Sequence, residues 1–524
     1  MSVFLEFLRS RERQYGDREV LRVDGVARRY DELLATTLAL AGGLGQAGVD
    51  AEDHIALMMD TSNAAVDAWL ASSVIGGYDI PINTAYRGEL LRYLIEDSEA
   101  TVVICDDAHL GTLLDLPLAR TKVCKLVVNA PATTDLRPTP GIETHRLSDL
   151  YVHGSPLPSR DGASGIVVLY TSGTTGASKG VMHTQDSCLE LAEFTARTMR
   201  YTPEDALLNF FPLYHQNARY TGLIPAIAAG ARFQLESKLS TSRFWSRCRD
   251  DRITAFNYLG SVLTMIMAAS KHLDAAQARD HSVRKAYGAG APRGIWEEFE
   301  RRFGVELFEA YGLTEAPMVS INVPPRVSPI GSAGRASELF EVQALDELGE
   351  RVVAGLVGEI VVRPKLPHGF MLGYYGRDAD TVRATRNLWF HTGDRGWLSP
   401  AGDVHFEERA KDSIRRRGEN ISAWEVESVL DRHPAVLESA VYGVAADAVD
   451  EEVMAAVVLS NPDADLGQII LESASDLPTY AVPRYVRAVT ELPRTDTMKV
   501  QKAELRKQGV TADTLEITRE TGVR

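Results

Sequence analysis

Leu169-Tyr-Thr-Ser-Gly-Thr-Thr-Gly-Ala-Ser-Lys-Gly180 grows out of an apolar run, Gly165-Ile-Val-Val-Leu-Tyr170. A short apolar run bounded by turn residues reads as a buried strand. Glycines after it let a backbone take positive φ and approach a ligand closely. Consecutive backbone N–H groups, the hydroxyls of Thr171, Ser172, Thr174 and Thr175, and the ammonium of Lys179 are then free to face phosphate oxygens. The stretch therefore predicts nucleotide triphosphate handling. The loop of kinases and GTPases ends Gly-Lys-Ser/Thr and opens a helix. Here Lys179-Gly180 leads into Val181-Met-His183, which reads as extended. The competing reading is a Gly/Ser/Thr surface turn; composition alone favours it, and the order of the residues does not.

Around this loop the text alternates helical and strand patterns. Tyr30–Gly48 and Ala64–Ile75 carry helical periodicity. His54–Met59, Thr101–Cys105 and Cys124–Asn129 are short apolar runs. That rhythm predicts α/β layers with largely buried sheets. After about Phe340 the text turns β-rich, with Phe340–Leu345 and Gly358–Arg363 as strands. From about Arg409 it changes again. Trp424–Arg432 and Leu466–Ser473 read as helices, and Leu437–Tyr442 and Val453–Leu459 as strands, which predicts a small α+β unit with a boundary near Glu408–Lys411. The stretch Asn129–Pro140 is the most loop-like.

The bulk numbers fit a soluble globular protein of several cores. There are 524 residues, 45% of them hydrophobic and 24% charged, with a net charge of −16. The densest basic run, Arg415-Arg416-Arg417, is too short for a nucleic-acid surface. Cys105, Cys124, Cys188 and Cys248 show no metal or disulfide spacing and read as packing residues in a reducing cytosol. No run approaches a membrane span, and the charged N-terminal stretch lacks a signal-peptide core. A cytoplasmic location is the expectation.

The loop resembles the phosphate-binding loop of the adenylate-forming superfamily, whose pattern is Thr-Ser-Gly-Thr-Thr-Gly-x-Pro-Lys-Gly; Ser178 stands where proline is usual. Five further segments follow the family's order: Gly288-Ala-Gly-Ala-Pro292, Glu309-Ala-Tyr-Gly-Leu-Thr-Glu315, Trp389-Phe-His-Thr-Gly-Asp394, Glu408-Arg-Ala-Lys-Asp-Ser-Ile-Arg-Arg-Arg-Gly-Glu-Asn420 and Leu492-Pro-Arg-Thr-Asp-Thr-Met-Lys-Val-Gln-Lys-Ala-Glu-Leu-Arg506. The chain is identified on these as a member of that superfamily, similar to AMP-forming acyl-CoA synthetases. The text Arg417-Gly-Glu-Asn-Ile-Ser422 is most similar to bacterial ligases for carnitine-type or short polar acids.

The resemblance implies a fold and a domain order. A large N-terminal domain, 1–408, combines layered α/β subdomains with a β-rich one. A hinge at 409–411 joins it to a small mobile α+β lid, 412–524. It implies a nucleotide site of Thr171, Ser172, Gly173, Thr174, Thr175, Gly176, Lys179, Gly290, Ala291, Pro292, Glu309, Ala310, Tyr311, Gly312, Asp394 and Arg409. Within it, Tyr311 stacks on adenine, Asp394 accepts from the ribose hydroxyls, Thr314 contacts the α-phosphate, and Glu315 with Thr175 holds magnesium; an aromatic face, a carboxylate, a hydroxyl and a hard acid suit those tasks. His391 reads as structural. Tyr214, His215, Asn217, Arg219, Gly288 and Gly290 border the acyl group, with a surface ion pair as the other reading for Arg219. Lys411 is the hinge. Lys499 bridges the carboxylate and the α-phosphate, with Met498 in place of the usual glycine and Lys502 as a competitor out of register. Arg415, Gly418, Glu419 and Asn420 serve the acceptor step.

The implied reaction joins a carboxylic acid to AMP, releasing pyrophosphate, then passes the acyl group to CoA. ATP, Mg2+ and CoA are the expected co-reactants, with no nucleic acid, and a homodimer by analogy. The alternatives are an adenylate-forming enzyme with an amine, a carrier thiol or nitrite as acceptor, and a non-catalytic nucleotide-binding scaffold. The presence of Lys179, Glu315, Asp394, Arg409 and Lys499 argues against the scaffold.

Overall fold

The computed structural model describes residues 2–136, 139–158, 165–171, 177–291, 293–366, 369–409, 413–446, 450–462, 464–493 and 500–517. The chain divides into two compact units. The first holds Met1–Thr84, Ser98–Tyr170 and Gly180–Glu408; the second holds Ala85–Asp97, Thr171–Lys179 and Arg409–Arg524. The main cut thus falls after residue 408. The two short segments of the second unit, 85–97 and 171–179, carry no signal in the sequence that sets them apart.

The first unit is built on two large sheets and a smaller one. One large sheet runs parallel through Glu306–Tyr311, Lys285–Ala289, Ala255–Leu259, Ala206–Asn209, Arg232–Leu235 and Glu19–Val23, with antiparallel strands at its edges. The other includes Ile166–Thr171, Tyr78–Pro81, His54–Met58, Val102–Asp106, Lys125–Asn129 and Glu143–Arg146. Parallel strands are covered on both faces, so they are apolar without alternation; all four residues of Ala206–Asn209 are buried. Lys179–Thr184 is a strand of this second sheet, as its extended text predicts. The four-stranded antiparallel sheet Phe340–Leu345, Gly358–Pro364, Phe390–Leu398, Val404–Arg409 forms the β-rich part.

Local signals set the element ends. Helix Asn63–Ile75 starts where Ser62 Oγ accepts from the Ala65 N–H at 3.1 Å, and stops at left-handed Gly76. In the second unit, hairpin Ser413–Arg416/Glu419–Ser422 turns on Arg417-Gly418, both at positive φ, the geometry of a two-residue hairpin turn. The basic run is thus a strand and turn, not a helix. Strands Val436–Ala445 and Glu451–Leu459 pair along their length, and helices Ala423–Leu430 and Leu466–Ser473 cover them. Cys105, Cys188 and Cys248 are buried, while Cys124 is exposed, against the expectation that it packs. Among the described residues, no helix is long and apolar enough to cross a membrane.

Candidate active site

Two parallel strands of the first unit, Lys285–Ala289 and Glu306–Tyr311, end side by side. Ligands in open α/β sheets bind outside such carboxyl ends. Gly288 lies within the first strand, and Gly290 and Ala291 form the turn after it. A Cβ on Gly288 would stand 2.1 Å from the Tyr258 carbonyl oxygen, so only glycine fits there. Gly290 takes φ +76°. The Glu309 carboxylate, on the neighbouring strand, receives the backbone N–H groups of Gly290 and Ala291 and the Tyr258 hydroxyl, the last at 2.8 Å. Glu309 therefore braces the turn. Burial and the Glu309 charge both push the Tyr258 phenol well up, which keeps it protonated and donating.

Tyr311 closes the same strand after Ala310, and its hydroxyl donates to Asp394 Oδ2 at 2.8 Å. Asp394 is 2% exposed, and its own N–H donates to Thr392 Oγ1 at 3.0 Å. The residue expected under the base and the one expected on the ribose are thus joined directly. His391 pairs with Glu359 at 2.8 Å, in a structural place. Gly312 follows Tyr311, and then the chain turns through Thr314 and Glu315. The Tyr374 hydroxyl donates to Glu315 Oε1 at 2.8 Å; burial and the Glu315 charge raise this phenol, so it too stays a donor. The remaining oxygen lone pairs of Glu315 suit a hard cation.

One residue here has no announcement in the sequence. His183, on the strand Lys179–Thr184, places Nε2 at 2.7 Å from the Thr314 carbonyl oxygen. A carbonyl only accepts, so Nε2 carries the proton. Burial pulls this histidine down to about 4, and it stays neutral at physiological pH.

The Tyr214–Arg219 segment behaves unevenly. Tyr214 and His215 pack ring against ring, with centroids 4.7 Å apart. Asn217 Oδ1 accepts from Asn209 at 3.1 Å and from Asn257 at 2.9 Å. Arg219 corrects the expectation made for it. It is 2% exposed, its guanidinium lies 4.6 Å from the Trp69 ring centroid, and Nη1 is 2.5 Å from Asp79 Oδ2. Its charge is committed to the core, not to an acyl group or the surface.

In the second unit, Thr171 ends one strand and Lys179 opens the next. Arg415 donates its backbone N–H to Glu451 at 3.0 Å, and Glu419 opens the hairpin's second strand. Lys502 is 2.7 Å from Glu427, which occupies the competitor of Lys499. Ser172, Gly173, Thr174, Thr175, Gly176, Pro292, Lys411, Met498 and Lys499, and the side chains of Arg409 and Asn420, lie outside the described residues.

A glycine turn, an aromatic tied to a buried carboxylate and a tyrosine-held glutamate thus come together in the first unit. Residues 8–375 match the AMP-binding enzyme family and residues 425–499 its C-terminal domain. The chain belongs to the AMP-binding enzyme family. Steroid-22-oyl-CoA synthetase of Rhodococcus jostii strain RHA1 is 31% identical over 498 residues, covering 91% of this chain and 86% of that protein. Crotonobetaine/carnitine–CoA ligase of Citrobacter koseri is 26% identical over 474 residues, covering 88% and 89%. The o-succinylbenzoate CoA synthetase of Bacillus subtilis shares the fold, with a TM-score of 0.82 at 23% identity over 96% of this chain and 98% of that one. This AMP-binding enzyme is an adenylate-forming acid–thiol ligase of the acyl-CoA synthetase kind. Such ligases use ATP and CoA.

Proposed function

We propose that the chain binds ATP with Tyr311 against adenine and Asp394 on the ribose hydroxyls, and that it acylates CoA in two steps. The observation that carries this is the Tyr311–Asp394 hydrogen bond beside the Glu309-braced turn. It holds two nucleotide contacts in place before any ligand arrives, so little ordering remains to be done on binding. Glu315 and Thr175 would hold magnesium, which would supply positive charge to the phosphates. In the first step a carboxylate oxygen bonds to the α-phosphorus and the bond to pyrophosphate breaks. Two anions must meet, so Lys179, Lys499 and Arg409 lower their repulsion, and the Thr314 hydroxyl orients an α-phosphate oxygen. In the second step the CoA sulfur bonds to the acyl carbon and AMP leaves. Lys411 is the hinge between the steps, and Arg415, Gly418, Glu419 and Asn420 serve the second.

The acid is apolar in this reading. Arg219, the cation nearest in sequence to His215, is held by Asp79 inside the core, which leaves Tyr214, His215, Asn217 and Gly288 to border the acyl group. The scattered free cysteines support a cytoplasmic place. The experiment is a panel of medium- and long-chain fatty acids, steroid side-chain acids and carnitine-like short acids with Mg·ATP. AMP and pyrophosphate are measured with and without CoA, and products are weighed by mass spectrometry. An acyl-CoA from the apolar acids is the expected result. Turnover confined to short polar acids overturns the acyl assignment. Adenylate that CoA does not discharge overturns the acceptor, and moves the search to amines or nitrite.

A further inference from the structure

Ser178 stands at the position where the adenylate-forming pattern has proline. Proline offers neither an N–H nor a hydroxyl. Ser178 offers both, is buried, and uses them within the second unit. Its hydroxyl donates to the Glu425 carboxylate, and its backbone N–H faces the same group. Its carbonyl accepts from the Tyr93 hydroxyl at 2.7 Å. Three polar groups of one residue are thus held from two elements, helix Gly88–Asp97 and helix Ala423–Leu430.

Glu425 is placed for this. Ser422 caps its helix by accepting the Glu425 N–H at 3.3 Å, which fixes the first turn. Two residues on, Glu427 has Lys502 at 2.7 Å. Among the described residues, the groups acting on Glu425 include no cation; burial raises it and the Ser178 hydrogen bonds oppose that rise. Burying a carboxyl without a countercharge is costly unless hydrogen bonds offset it. Ser178 supplies them, so each partner accounts for the other.

We propose that Glu425 and Tyr93 are positioning residues for the nucleotide: they clamp Ser178 and so fix Lys179, the next residue, for the triphosphate. The inference rests on the reading of Lys179 as a phosphate ligand. A proline stiffens this loop from within; here the same stiffness comes from contacts that can be broken one at a time.

ATP–pyrophosphate exchange tests it, with folding checked by denaturation midpoint. Loss of one hydrogen bond to a buried carboxyl predicts that Ser178→Ala and Glu425→Ala each raise KM for ATP about tenfold, with kcat nearly unchanged. The double variant is expected to lose no more than either single one, because both remove the same contact. Glu425→Gln keeps an oxygen for the Ser178 hydroxyl and is expected to recover most of the loss, and Tyr93→Phe to raise KM in the same sense. Lys179→Ala is the reference. If it raises KM while folded Ser178→Ala and Glu425→Ala do not, the clamp is wrong and the phosphate reading stands. If Lys179→Ala leaves KM unchanged, the phosphate reading fails and the clamp with it. Losses that multiply in the double variant also overturn the clamp.

Discussion

Tyr311 and Arg219 show how differently two polar side chains near one site are employed. Tyr311 gives its hydroxyl to Asp394, and the proposed function gives its ring a second task, against the base. Tyr311→Phe keeps the ring and removes the donor to a buried carboxylate. A hydrogen bond to a charged group contributes about 1.5–3 kcal/mol, so ATP affinity is expected to fall roughly tenfold or more. Calorimetric titration with a non-hydrolysable ATP analogue measures this, and an unchanged Kd would show that Asp394 needs no such partner. Arg219 has only one task. Removing it strands Asp79, which is fully buried and which burial already pushes up. Breaking a buried pair costs about 3–5 kcal/mol, so Arg219→Met is expected to lower the urea midpoint sharply while the folded fraction keeps its KM for the acid. A selective rise in that KM would return Arg219 to the acyl group.

The strand Lys179–Thr184 carries His183 to the Thr314 carbonyl, and this histidine is the source of a pH effect. His183 titrates near 4 in the folded chain against 6.5 ordinarily. Between these values the unfolded chain takes up a proton that the folded one refuses. The contribution is fully present above about pH 6.5 and is lost as pH falls towards 4, by about 3 kcal/mol in all. His183→Gln retains an N–H for the Thr314 carbonyl and is expected to flatten this part of the stability–pH curve. Urea denaturation at several pH values decides it, and an unaltered slope rules the histidine out. Strands such as Val102–Asp106 were legible in the sequence, because buried parallel strands leave apolar runs between turn residues. Glycine, aromatic and acid in sequence also marked the positions expected at the nucleotide, and of these the structure joins Tyr311 to Asp394 and Glu309 to the Gly290 turn. Pairings were not. That His183 meets Thr314, Arg219 meets Asp79 and Ser178 meets Glu425 depends on which elements the fold brings together from 131, 140 and 247 residues apart, and no local pattern encodes such distances.

On the scale of the whole chain, the residues expected to act divide between two units, and the division has a kinetic meaning. The first unit carries Tyr311, Glu315 and Asp394, while Gly418 belongs to the second, and Lys499 follows it in sequence. If Lys499 serves adenylation and the Gly418 turn serves the acceptor, damage to each should fall on one half-reaction. Lys499→Ala is expected to slow ATP–pyrophosphate exchange about 100-fold, the scale of losing an oxyanion donor, and to leave discharge of a supplied acyl-adenylate to CoA intact. Gly418 sits at φ +90° in the two-residue turn of its hairpin. A side chain there carries about 1–3 kcal/mol of backbone strain. Gly418→Leu is therefore expected to slow the CoA step about tenfold or more while exchange continues. Rapid-quench measurement of each half-reaction separates the two effects. Should either variant slow both steps alike, one arrangement of the two units would have to serve both, and the assignment of Lys411 as a hinge between two working conformations would fail with it.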